Sequence, residues 1–222
     1  MVDLKREGEV FILTMNSGEN RFNPSFIEAM HQALDTIEQS QGPAALVTIG
    51  GNEKYYSNGL DLTWFREAEE NEQRAFTVTT LRFLGRIMGF PVPTVAALNG
   101  HTFAGGAMLA LTHDFRVMRS DRGFFCLPAV DLKINLPPGM ISLIQSRLSP
   151  VVFRDLMLTG KRIGGMEAKA QGVVDEAVPG DQVLPQALSL AAGLAGKDRQ
   201  TYAALKRGLV ADSLKLLNEG RI

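Results

Sequence analysis

The sequence predicts an α/β fold, and the order of its apolar segments supports this assignment. Residues 10–15, 44–49, 94–98 and 115–118 have the length and apolar composition of buried strands. Between most of them lie longer segments in which apolar residues recur every three or four positions, the spacing of one helix face. Strands that alternate with helices are typical of α/β domains.

The first helix is predicted over residues 24–40. Pro24 suits the first helical turn, and Asn23 stands where its side chain can cap the helix. The residues that share its apolar face are Phe26, Ile27, Met30, Leu34 and Ile37. Further helices are predicted over about residues 61–88, over 104–111 and over most of the chain from 139 onward, with a short strand at 173–177.

Composition limits the classes of protein and ligand to consider. The chain has 222 residues and a net charge of −1, so no overall field attracts nucleic acid or an anionic membrane. It has no stretch that is typical of a signal peptide or a membrane span. Its single cysteine excludes an internal disulfide and favours a reducing, cytoplasmic setting. No linker-like segment interrupts the sequence, so one domain over residues 1–222 is expected.

Two glycine-containing loops carry the candidate chemistry. The first, Tyr55-Tyr56-Ser57-Asn58-Gly59-Leu60-Asp61-Leu62, lies between a predicted strand and a helix. Gly59 permits a backbone conformation that other residues resist, so the loop can leave amides directed into a cleft. Asp61 stands at a helix start, where structural capping is a more common role than catalysis.

The second loop, residues 99–107, follows a strand and opens a helix, with no side chain larger than a methyl group at positions 104–107. Free N–H groups at a helix start attract negative charge. Two amides that converge on one oxygen form an oxyanion hole. Each loop alone is a weak signal, because glycine-rich helix starts also serve close packing.

The two loops together resemble the enoyl-CoA hydratase/isomerase (crotonase) superfamily. The segments that carry the resemblance are "GENRFNP", "YYSNGLDL", "PVPTVAALNGHTFAGGAMLALTHDFRV", "DRGFFCLPAVDL" and "LTGKRIGGMEAKAQGVVDEAVP". The sequence is most similar to the Δ3,Δ2-enoyl-CoA isomerase branch. The resemblance implies a spiral of ββα units over about residues 1–160 and a mainly helical region over about 161–222 that assembles trimers or hexamers. The implied ligand is an acyl-CoA thioester, with coenzyme A as part of the substrate and no separate cofactor or metal.

Carried over by position, the resemblance assigns the oxyanion amides to Leu60 and Gly105. The thioester and pantetheine end of the ligand would then meet Ser57, Asn58, Gly59, Leu60 and Asp61. The segment Arg21-Phe22-Asn23 corresponds to the place where the family's backbone meets adenine. Arg21 is equally well explained as a surface charge.

The positions at which relatives carry catalytic carboxylates hold other residues in this chain. They are Met108, Ala129 and, about eight residues further on, Pro137. Asp131 is the best-placed remaining acid: if residues 131–136 are extended, Asp131, Lys133 and Asn135 share one face. A surface carboxylate is the simpler interpretation of Asp131.

The histidines and the cysteine are weaker candidates for proton transfer. His101 can bond the second loop, His113 matches a structural position, and His31 lies off the apolar helix face. Cys126 is expected to be a buried thiol. Three functions therefore remain open: an enoyl-CoA isomerase-type enzyme of fatty-acid metabolism, an acyl-CoA-binding protein without catalysis, and an acyl-CoA thioesterase.

Overall fold

A computed structural model of the protein describes residues 2–222. Its strands are β1 (Val2–Glu7), β2 (Val10–Met15), β3 (Arg21–Phe22), β4 (Ala45–Gly50), β5 (Tyr55–Ser57), β6 (Gly59–Leu60), β7 (Thr94–Leu98), β8 (His101–Phe103), β9 (Phe115–Arg119), β10 (Phe125–Cys126) and β11 (Glu176–Val178). Its helices are α1 (Pro24–Gln39), α2 (Leu62–Glu67), α3 (Glu70–Met88), α4 (Gly105–Thr112), α5 (Pro138–Arg147), α6 (Pro150–Thr159), α7 (Gly165–Ala170), α8 (Val183–Ala195), α9 (Arg199–Leu209) and α10 (Ala211–Glu219). A short 3-10 helix covers Gly180–Gln182.

The main sheet has six strands in the order β1-β2-β4-β7-β9-β11. β1 pairs antiparallel with β2, and the other neighbouring strands pair in parallel. The four buried strands and the first helix predicted from the sequence are confirmed, and Asn23 Oδ1 caps α1 by accepting from Phe26 N at 2.9 Å. β1 was not predicted, because it is mostly exposed and lacks an apolar pattern.

Short strands form two smaller sheets, β10-β8-β5 and β3-β6. Each turn of the chain therefore contributes one long strand to the main sheet, a short strand to a small sheet, and then a helix. This pattern repeats at β4-β5-α3, β7-β8-α4 and β9-β10-α5. The predicted spiral of ββα units is confirmed.

The two faces of the main sheet are covered differently, since side chains alternate between the faces of a strand. One face joins the large core with the helices of the spiral. The other face, with Val47, Val95 and Val117, packs against α8 through a row of alanines. That row comprises Ala187, Ala191 and Ala195, and its small side chains let the helix lie close to the sheet.

The C-terminal helices are tied to the spiral by packing and by a buried ion pair. α10 packs against α5 and α3. On α9, Lys206 Nζ lies 2.9 Å from Asp114 Oδ2, which also accepts from Tyr202 Oη at 3.1 Å. The role of this region in trimer assembly stays a prediction. No helix within residues 2–222 is long and apolar enough to cross a membrane.

Candidate active site

The two predicted loops meet at Gly59 and Gly105. Gly59 has φ +75°, in the left-handed region that favours glycine. A methyl group built on its Cα would lie 2.4 Å from Gly105 N. A methyl group on Gly105 would in turn lie 3.2 Å from Gly59 Cα and 3.0 Å from the Phe22 ring. This close approach requires glycine at position 59 and leaves little room for a side chain at position 105.

Ala104 directs the start of α4. It has φ 51° and ψ −119°, a backbone conformation that is uncommon for a residue with a side chain. Hydrogen bonds hold it there, because Ala104 N donates to Cys126 O at 3.0 Å and Ala104 O accepts from Met108 N at 3.1 Å. The next N–H groups, beginning with Gly105, are the first of the helix and have no acceptor within it. Such groups are suited to bind a partially negative oxygen.

Ser57 supports the approach of the two loops, and its side chain lines neither of the two cavities described below. Its side chain is fully buried, and its Oγ donates to Asn20 O at 2.7 Å and accepts from Gly59 N at 3.2 Å. A methyl group on Gly106 would lie 2.2 Å from Ser57 O. The small residues after position 104 therefore serve close packing as well as an open helix start.

Leu60 and Gly105 both line a cavity of about 640 Å³. Most of its lining comes from α2, α3 and residues 127–138, and the lining is mainly apolar. The lining residues are Phe22, Leu60, Leu62, Phe65, Arg66, Phe76, Thr77, Thr80, Ala104, Gly105, Met108, Leu127, Pro128, Ala129, Leu132, Ile134, Asn135, Leu136, Pro137, Pro138, Met140 and Ile222. The cavity can hold an extended apolar group beside the two amide positions.

Met108, Ala129 and Pro137 all line this cavity. The three positions identified from the sequence as empty carboxylate sites thus line the same cavity as Leu60 and Gly105. Within residues 2–222, no Asp, Glu, His or Lys side chain lines the cavity. Its only charged side chain in that part of the chain is Arg66.

Asp131 lies outside the cavity lining. Residues 129–133 form turns, in which Leu132 N donates to Pro128 O at 3.0 Å and Ile134 N to Ala129 O at 3.0 Å. The expectation of an extended segment with one polar face is therefore wrong. Leu132 and Ile134 line the cavity. The Asp131 carboxylate instead lies beside Gly160, since a methyl group built on Gly160 would be 2.2 Å from Asp131 Oδ2.

Arg21, Asn23 and Asp61 line a second, smaller cavity of about 300 Å³. Phe22, between the first two, is fully buried and lines the larger cavity instead. Asp61 Oδ1 accepts from Thr63 N at 3.2 Å and from Trp64 N at 3.3 Å, which confirms its capping role on α2.

Glu19 connects the smaller cavity to the first loop. Its carboxylate accepts from Asn58 Nδ2 at 2.8 Å and pairs with Arg21 at 2.6 Å. The Asn58 hydrogen bond, together with Arg21, lowers the pKa of Glu19, against the opposing effect of burial. Asn58 is thus positioned by Glu19, and Arg21 is a paired surface charge that also lines a cavity.

None of the histidines reaches the larger cavity. His113 is fully buried, and its Nδ1 donates to Leu109 O at 2.8 Å, so its Nε2 accepts from Thr48 Oγ1 at 2.9 Å. Burial lowers the pKa of His113 to about 3, which keeps the ring neutral. His101 packs among the rings of Tyr55, Phe103 and Phe124, and burial lowers its pKa as well.

His31 and Cys126 also have structural environments. His31 was expected to lie free of the core, but it is part-buried and its Nδ1 lies 2.9 Å from an Arg86 nitrogen. Cys126 is a buried thiol as predicted, and it donates to Gly160 O at 3.2 Å. Burial raises the pKa of Cys126, so its reactive thiolate form is disfavoured.

The sequence analysis did not identify the α2 and α3 wall of the cavity. Phe65, Arg66, Phe76, Thr77 and Thr80 belong to this wall. Their only sequence signal is helical periodicity, which marks a face of a helix but does not separate a cavity wall from a core.

The chain is similar to known proteins over nearly its whole length. The family model for "Enoyl-CoA hydratase/isomerase" matches residues 5–221. Enoyl-CoA delta isomerase 3 of Arabidopsis thaliana is 31% identical over 227 residues, covering 98% of this chain and 95% of that protein. A putative enoyl-CoA hydratase of Thermus thermophilus is 34% identical over 218 residues, covering 95% and 83% respectively. A solved structure of a probable enoyl-CoA hydratase of Mycobacterium tuberculosis superposes with a TM-score of 0.92 at 25% identity, covering 99% of this chain and 92% of that one.

Because His113 is buried in its neutral form, we expect the stability of the folded protein to depend on pH. The ordinary pKa of 6.5 exceeds the folded value of about 3, so the unfolded chain binds an extra proton between these limits. The free energy of unfolding therefore falls as pH falls from about 6.5 towards 3. At pH 4.5 we expect a loss of roughly 3 kcal/mol from this group relative to pH 7, measured by urea unfolding.

His113→Gln is the matched control for this measurement. The variant loses the titrating ring but retains His31 and His101, so its stability should change less between pH 7 and 4.5 than that of the parent. An identical pH dependence in the two proteins would contradict the assignment to His113.

Proposed function

We propose that this chain, which belongs to the enoyl-CoA hydratase/isomerase family, binds acyl-CoA thioesters and acts as an enoyl-CoA isomerase-type enzyme of fatty-acid metabolism. The observation that supports the proposal is that Leu60 and Gly105 line the same apolar cavity. The thioester oxygen would accept hydrogen bonds from the two amides, and the acyl group would occupy the cavity. Similarity to relatives named as delta isomerases supports the choice of reaction.

In the proposed reaction the two amides stabilise an enolate. Removal of a proton from the carbon next to the thioester moves an electron pair onto the carbonyl oxygen, where negative charge develops. Donors already aimed at that oxygen lower the transition state by roughly 3 to 4 kcal/mol each. Return of a proton to the far carbon of the former double bond completes the shift of the double bond.

The proton carrier is the incomplete part of this site. A general base must reach the substrate proton directly or through one water molecule. The side chains at positions 108, 129 and 137 are Met, Ala and Pro, and none of them can ionise. We therefore expect slow turnover, with water carrying the proton, in place of the fast transfer that a carboxylate allows.

A second candidate is acyl-CoA binding without turnover. The same absence of an ionisable acid among the described cavity residues favours it. The hole and the cavity would then recognise the thioester, and the ligand would leave unchanged. Binding of a saturated acyl-CoA is common to both candidates, whereas isomerisation belongs only to the first.

The remaining parts of the proposal concern the coenzyme and the assembly. We propose that the smaller cavity, with Arg21, Asn23 and Asp61, receives the coenzyme A end of the ligand, in line with the family resemblance. The same resemblance supports assembly as a trimer or hexamer. The proposed setting is the reducing cytoplasm, in which the single buried thiol of Cys126 stays unpaired.

Gly59→Ala tests the oxyanion hole. Position 59 has a left-handed backbone conformation, and the new methyl group there would press on Gly105 N. We therefore expect calorimetry to show at least about tenfold weaker binding of a saturated acyl-CoA, which corresponds to the loss of roughly one good hydrogen bond. Gly8→Ala is the control, because Gly8 has φ +60° but nothing within 4 Å of the added methyl group. Equal affinity in both folded variants would contradict the assigned hole.

Ala129→Glu tests the missing base. A carboxylate at this cavity position should raise isomerisation of a 3-enoyl-CoA by on the order of a hundredfold, the lower end for a placed acid or base. Formation of the conjugated 2-enoyl-CoA is followed by ultraviolet absorbance from about pH 6 to 9, around the range of perturbed carboxylate and histidine bases. Val130→Glu is the control, since Val130 is exposed and lies outside the cavity lining.

The outcomes separate the two candidates. Measurable turnover in the parent chain, enhanced in Ala129→Glu, supports the isomerase. If the parent binds acyl-CoA without turnover, the binding function remains and the isomerase proposal fails. If neither binding nor turnover is seen, both are wrong.

A further inference from the structure

Two polar side chains without partners line the otherwise apolar cavity. Both residues are exposed: Arg66 lies in the last turn of α2, and Asn135 lies in the segment that leads to α5. Within residues 2–222, neither side chain has a hydrogen bond or an ion pair. Arg82 on α3 also has no such partner, but only Arg66 of the two lines the cavity. The guanidinium of Arg66 and the amide of Asn135 are therefore available to a ligand.

The other polar side chains of the cavity are already engaged. Thr77 Oγ1 donates to Gln73 O at 2.8 Å, and Thr80 Oγ1 donates to Phe76 O at 2.9 Å. Their hydroxyl protons are used within α3, so only acceptor capacity remains. The free donors that face the cavity are then Arg66 and Asn135, and both suit an oxygen-bearing anion.

The charge balance of the cavity favours such an anion. A carboxylate at position 108, 129 or 137 would repel a negatively charged acyl group in the same cavity. Those positions hold apolar residues, so the described part of the cavity carries one positive and no negative side-chain charge. A guanidinium binds a carboxylate with two parallel hydrogen bonds, and this geometry adds specificity.

From these contacts we propose that the acyl group accepted by this cavity carries a second carboxylate. The ligand class is the mono-CoA thioester of a dicarboxylic acid, with its thioester at Leu60 and Gly105 and its free carboxylate at Arg66 and Asn135. This inference rests on the proposed acyl-CoA function and specifies its substrate class. It assigns Arg66 as the specificity-determining residue.

Calorimetry with matched ligands tests this assignment. The parent chain is titrated with glutaryl-, adipoyl- and suberoyl-CoA, and with pentanoyl-, hexanoyl- and octanoyl-CoA of the same chain lengths. Because charge-assisted hydrogen bonds are stronger than neutral ones, we expect at least one diacid thioester to bind about tenfold more tightly than its monoacid counterpart. Arg66→Gln should bring the ratio of diacid to monoacid affinity to about one.

Arg82→Gln is the control variant. Arg82 is an exposed arginine on α3 that lies outside the cavity lining, so its loss changes the net charge equally but should preserve the preference. Equal binding of diacid and monoacid thioesters at every length overturns the inference, as does a preference that survives in Arg66→Gln. Equal weakening of both ligand classes by Arg66→Gln also overturns it, because that result indicates contact with a phosphate of coenzyme A. If monoacid thioesters bind and diacids gain nothing, this inference fails while the proposed function stands.

Discussion

The site depends on one backbone contact, the approach of Gly59 to Gly105. A side chain at position 59 would project to within 2.4 Å of the Gly105 nitrogen, and a side chain at 106 would meet the carbonyl of Ser57. The two loops can therefore come together only where the chain has no Cβ. The parallel pairing of β3 with β6 and of β5 with β8 holds the first loop against the start of α4. The small sheets of the spiral thus hold in place the two loops that form the proposed oxyanion hole.

The contact also explains the unusual backbone of Ala104. The chain passes from β8 into α4 through the single residue Ala104, whose positive φ typically costs about 1–3 kcal/mol. Hydrogen bonds to Cys126 O and from Met108 N hold that conformation. Since β10 supplies Cys126, two successive turns of the spiral together fix the backbone at the start of α4. Local strain is sustained here by the surrounding sheet.

The sequence predicted those elements whose side chains have a distinctive pattern. The strands at 10–15 and 94–98 are apolar and bounded by polar residues, and the cap at Asn23 is specific, so these elements were identified. β1 was not predicted because only one of its faces is partly buried. The turn at 129–133 was not predicted because the alternation of polar and apolar residues suggested an extended segment. The positions of Leu60 and Gly105 came from family resemblance, not from periodicity. The α2 and α3 wall could not be predicted, because which helix face lines a cavity depends on how distant segments pack.

The apolar residues at positions 108, 129 and 137 have two linked physical consequences. They remove the groups that would carry a proton, which slows any reaction through an enolate. They also leave the amide dipoles of the proposed hole in a medium of low polarity, where an interaction with a partly negative oxygen is stronger than in water. Arg66 lines the same cavity and has no carboxylate partner among the described residues. A cavity whose described lining carries no negative side-chain charge is electrostatically suited to a ligand that brings one, so the missing base and the proposed preference for a second carboxylate both reflect the same apolar lining.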